Sequence, residues 1–88
     1  MIDIREHTAT LLKRDLDIPS EVTGTLFDLG LIDERNAIRV LIKDEYIGYL
    51  VGNRSKTNIR IYLAERYCLS YSTIEKITAE VNGNPQEN

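Results

Sequence analysis

The residues of this chain best suited to chemistry are cations. Arg54, Lys56, Arg60, Arg66 and Lys76 fall within residues 54–76 against only Glu65 and Glu75, a local net charge of +3. The preceding 53 residues carry −4 and the last twelve −2, so the whole chain stands at −3. A basic stretch inside an acidic chain is a hint of an interaction face for an anionic partner; its bland counterpart is a solvated surface. The net charge alone argues mildly against nucleic acid, and the distribution argues the other way.

Other chemistries lack their parts. His7 is the single histidine and Cys68 the single cysteine, so neither a clustered zinc site nor a redox pair nor an internal disulfide can be built in one chain. His7 has no Ser, Cys or Asp partner at a suggestive spacing. The run GYLVGNRSKT misses the phosphate-loop pattern, because its second glycine comes one residue early and is not followed by Lys-Ser or Lys-Thr. Asp15, Asp17, Asp44 and Glu45 lack the spacing of a calcium loop. Gly48-x-x-x-Gly52 is a helix-contact pattern only within an apolar span, which this is not. No catalytic constellation, metal site or cofactor motif is read, and no small-molecule ligand is evident; the expectation is a non-enzyme.

The elements that must position the cations follow from periodicity. With 88 residues, 42% hydrophobic and 28% charged, one globular domain is expected over 1–81, followed by a polar flexible tail at 82–88. The start MIDIREHTATLL has acids where a secretory signal needs bases, and apolar runs are short; a cytoplasmic chain without a membrane span is expected. Residues 4–16 place Ile4, Thr8, Leu11, Leu12 and Leu16 on one helical face. Pro19 suits a helix start and Gly30 a helix stop, bracketing Val22, Leu26, Phe27 and Leu29. Asp33 caps a longer helix over 34–51, with Ala37, Ile38, Leu41, Ile42, Glu45 and Tyr49 near one stripe. A hairpin turning at Lys43-Asp44-Glu45 competes there, since Val40, Ile42, Tyr46, Ile47, Tyr49 and Val51 favour strands. Ser55 caps a helix over 56–67 and Ser70 one over 71–81. The fold class is therefore all-α with about five helices.

The last two helices are joined by Cys68-Leu69-Ser70 alone, the sequence form of a helix-turn-helix. Ala64 supplies the small residue where two helices cross closely. Leu63 and Tyr67 face the same core, Leu69 plugs the turn, and Ile74 and Ile77 form the inward stripe of the second helix. The stretch LAERYCLSYSTIEKI resembles the helix-turn-helix of homeodomain-like transcription regulators and recombinases, and of phage Mor-type and mobile-element regulators. With the preceding long helix the resemblance covers about residues 33–81, as a tri-helical unit; residues 1–32 carry no such likeness and offer a dimer or partner surface. Cys68 departs from the pattern, since many members have glycine at this turn, where the backbone often takes a positive φ; the cost is about 1 kcal/mol.

The resemblance implies a role for each matching position. The second helix would enter the major groove of double-stranded DNA, with Tyr71, Ser72, Thr73, Glu75 and Lys76 near base edges. Arg54, Lys56, Thr57 and Arg60 would meet phosphates. The implied function is a DNA-binding transcriptional regulator acting as a homodimer, with Leu11, Leu12, Leu16, Leu26 and Phe27 supplying candidates for the dimer surface. Two alternatives remain open at this point: a protein–protein docking module on the same tri-helical fold, favoured by the acidic pI of 5.1, and an architectural DNA-binding subunit of a recombinase or mobile-element system.

Overall fold

The computed structural model describes residues 2–82. Among them are five α-helices and no strand: α1 (Ile4–Leu16), α2 (Ser20–Asp28), α3 (Glu34–Val51), α4 (Lys56–Tyr67) and α5 (Tyr71–Asn82). The chain is all-α, as its periodicity implies. The competing hairpin does not form, because α3 runs unbroken through Lys43-Asp44-Glu45. Ala37, Leu41, Ile42 and Tyr46 are each buried along this one helix, whereas a strand would send the neighbours Leu41 and Ile42 to opposite faces. The tail lies outside the described residues, apart from Asn82 at the end of α5.

Side chains start four of the helices. Asp3 accepts from the Glu6 amide at 3.1 Å, Asp33 from Asn36 at 3.4 Å, Ser55 from Asn58 at 3.3 Å and Ser70 from Thr73 at 3.1 Å. Each bond satisfies one of the amides that a helix start leaves without an intrahelical partner. α2 instead begins behind Pro19, whose fixed φ of −61° suits the entry. Left-handed residues stand just past the helix ends: Asp17 (φ 57°) after α1, Gly30 (φ 77°) beyond α2, Asn53 (φ 64°) beyond α3 and Cys68 (φ 56°) after α4. The expected positive φ at Cys68 is present.

The described residues form two compact units, 2–41 and 42–82, whose boundary falls inside α3. In the first, α1 packs on α2, and Ile4, Thr8, Thr23, Phe27, Ala37 and Leu41 are buried. Thr8 is satisfied there by donating to the Ile4 carbonyl at 2.7 Å. Leu16, Val22 and Leu29, read from spacing as facing a core, are 65%, 45% and 67% exposed. They sit at or near helix ends, where the apolar stripe has run past the partner helix. Phe27 belongs to the core, with the Arg5 guanidinium 5.1 Å over its ring.

In the second unit, Leu63, Tyr67, Ile74 and Ile77 are buried where their spacing places them, and Ile42, Tyr46, Ile59 and Thr78 join them. Ala64 and Leu69 are half-buried, and the Leu69 amide donates to the Ala64 carbonyl at 3.0 Å across the turn. This bond and the left-handed Cys68 reverse the chain at the end of α4.

Candidate nucleic-acid interface

The start of α5 divides cleanly into two faces. Ile74, Ile77 and Thr78 point inward, while Tyr71, Ser72, Glu75 and Lys76 are exposed. The division follows from helical spacing: 71, 72, 75 and 76 lie on one side and 74, 77 and 78 on the other. Thr73 is half-buried, and its hydroxyl lies 2.9 Å from that of Ser70. That oxygen is engaged in starting the helix, so of the five residues assigned to base edges, Thr73 is the least available.

The cations separate by what already holds them. In 42–82, Lys43 pairs with Glu80, and Arg66 Nε pairs with Glu45 Oε1 at 2.9 Å. Arg54, Lys56, Arg60 and Lys76 have no carboxylate within ion-pair reach among the described residues. Lys56 and Thr57 are exposed on the first turn of α4, beside amides that lack intrahelical partners. Arg54 is exposed with its guanidinium 5.2 Å over the Tyr49 ring. Arg60 is different: it is half-buried, its Nε donates to Thr78 Oγ1 at 2.9 Å, and its guanidinium lies 5.5 Å over the ring of buried Tyr46.

Arg66 is withdrawn from any outer surface by a cluster that spacing alone did not reveal. Its guanidinium and the Glu45 carboxylate are only 26% and 17% exposed, and the Tyr67 hydroxyl donates to the other Glu45 oxygen. Burial, and then this bond to a carboxylate, push the Tyr67 hydroxyl well above the usual tyrosine range. Burial works against the charge on Arg66, and Glu45 outweighs it, so the guanidinium is held charged. Glu45 on the apolar stripe of α3 was the sequence signal: an acid on an inward face needs a buried partner. For Thr78 the signal was its place beside Ile77 and one turn after Ile74.

No family model, curated protein or solved structure matches the chain. No helix among the described residues is long and apolar enough to cross a membrane, and no group of three or more metal-ligating side chains occurs among them.

Proposed function

We propose that the chain is a DNA-binding transcriptional regulator in which α4, the turn at 68–70 and α5 act as a helix-turn-helix. One observation carries the reading. The four cations of residues 42–82 that lack a carboxylate partner among the described residues are Arg54, Lys56, Arg60 and Lys76, the same four that the family resemblance assigns to DNA. Cations without a carboxylate partner keep their charge available to an anionic ligand, whereas Arg66 and Lys43 are neutralised within the fold. α5 is the recognition helix, with Lys76 directed to guanine O6/N7, Glu75 to cytosine N4, and Ser72 to several bases. Lys56 and Thr57 at the start of α4, with Arg54, hold the phosphate backbone. The protein works in the cytoplasm as a homodimer through residues 1–32, because two copies double a small base-reading surface.

Binding to a mixed-sequence duplex, measured by fluorescence anisotropy across a salt series, tests this. The affinity falls with salt, log K losing about 0.9 per tenfold rise for each phosphate neutralised. Selection from a duplex library then yields a preferred site, which separates a regulator from an architectural DNA-binding subunit. Absence of binding at low salt leaves the second reading, a protein-docking module. That reading is favoured by a specific observation: Arg66 is held internally, and the chain has net charge −3.

A further inference from the structure

Arg60 stands apart from the other three cations. Its Nε–H points to Thr78 Oγ1, and Thr78 passes the chain on by donating to the Ile74 carbonyl at 2.8 Å. Thr78 and Tyr46 are both fully buried, so the guanidinium is held from one side by an α5 hydroxyl and stacked on an α3 ring. The hydrogen bond is charge-assisted and ends on the buried Thr78, away from the exposed Ser72 and Lys76. An inward contact from α4 to the last turns of α5 constrains how that helix is rotated. It adds nothing to the outward face itself.

We infer that Arg60 is a positioning residue for α5, acting through Thr78, and not a phosphate contact. The inference rests on the DNA-binding reading and replaces one of its four phosphate assignments. The apolar packing of Ile74 and Ile77 is compatible with small rotations of α5, because dispersion contacts are non-directional. A hydrogen bond with a fixed acceptor is directional, and removes that freedom. Base readout depends on holding Ser72 and Lys76 within about 0.5 Å of their productive placement, so loss of the bond costs discrimination before it costs general affinity.

Thr78→Val keeps the volume and removes the acceptor; Arg60→Gln removes the charge and the reach; Thr78→Ser restores the hydroxyl. Each is measured for affinity on the selected duplex and on random duplex over a salt series, with the fraction folded checked by thermal melting. Positioning predicts that Thr78→Val and Arg60→Gln each reduce the preference for the selected site by about tenfold. Their effects do not add in the double variant, the salt slope stays native, and Thr78→Ser rescues the preference. A phosphate role predicts the opposite: Arg60→Gln lowers the slope by roughly one unit and Thr78→Val is silent. That outcome overturns the inference. Residual dipolar couplings of the DNA-free protein supply an arm independent of binding. An unchanged α4–α5 orientation in both Thr78→Val and Arg60→Gln also overturns it, whereas a changed orientation in a protein that binds no duplex supports the positioning and rejects the DNA reading.

Discussion

Residues 2–41 and residues 42–82 use the same building material in opposite ways. In 2–41 three of the five cations are matched to acids in exposed pairs: Arg5 to Asp28, Lys13 to Asp17 and Arg14 to Asp15, and two of the three pairs lie within four residues in sequence. Such pairs contribute little to stability. The same unit exposes Leu16, Leu29 and Leu31, and Leu31 and Val40 border an apolar groove of about 270 Å³. In 42–82 the polar bonds reach between helices, Glu45 to Arg66 and Tyr67, and Arg60 to Thr78, with a larger core around them. The first unit sets three of its cations in exposed pairs, and both units leave aliphatic side chains open, Leu31 in the first and Val51 in the second. The second spends two of its cations on carboxylates of the fold, commits a third to a hydroxyl of α5, and leaves the rest without a carboxylate partner among the described residues. A cation's sequence position is therefore a poor guide to its use; what matters is whether an acid from another helix reaches it.

The largest effect that separates the units is in the core. Leu63 is fully buried and Leu31 is 71% exposed. Leu63→Ala should cost about 2–5 kcal/mol, whereas Leu31→Ala should stay within about 0.5 kcal/mol in the isolated chain; urea unfolding measures both. Equal losses would erase the distinction.

The contrast in ion pairs comes next. Glu45→Ala leaves Arg66 and the Tyr67 hydroxyl without their acceptor and should cost about 2–4 kcal/mol. Asp28→Ala, removing a surface pair, should cost about 0.5 kcal/mol or less. The same cluster gives a pH dependence. The folded state holds the Tyr67 hydroxyl neutral beyond the range in which an unfolded tyrosine ionises, near pH 10. The stability it contributes is complete below that pH and is lost as pH rises through and above it. Denaturation midpoints should fall more steeply above pH 10 in the native chain than in Tyr67→Phe.

On DNA, Ser72→Ala or Lys76→Ala should lose about 1–3 kcal/mol on the preferred site and less on random duplex. Lys56→Ala should weaken all sequences alike and lower the salt slope by roughly one unit. Lys13→Ala, which removes a cation already paired with Asp17, should change neither. If Lys13→Ala weakens binding as much as Lys56→Ala, the division of labour between the units is wrong.

The smallest test uses a device the units share, a left-handed residue after a helix. Cys68→Gly relieves a side chain at φ 56° and should stabilise by about 1 kcal/mol. Asp17→Gly should gain less, because aspartate tolerates this conformation and the Lys13 pair is lost. Thermal melting should rank the two variants in that order.

What could be read from the letters is local chemistry. Asp33, Ser55 and Ser70 announce helix starts because a short acceptor side chain reaches amides only two or three residues ahead. Gly30 marks a stop, and the inward stripe Leu63, Tyr67, Ile74 and Ile77 is legible because period and burial coincide on helices with packed neighbours. The competition between helix and hairpin at residues 40–51 could not be resolved this way, since strand-forming side chains also pack well on a helix whose stripe meets a partner.

The sequence by itself determined four of the five helices, the caps Asp33, Ser55 and Ser70, and the outward placement of Tyr71, Ser72, Glu75 and Lys76, all consequences of interactions within a few residues. Only the tertiary structure decided which cations are spent. Glu45 is 21 residues from Arg66, and Arg60 is 18 from Thr78. Nothing in local spacing says that these side chains meet, because the turns at 52–55 and 68–70 and the packing of large side chains such as Tyr46 and Tyr67 set the distances between helices. The desolvation that raises the Tyr67 hydroxyl has the same origin, since a side chain leaves water only when other elements close over it.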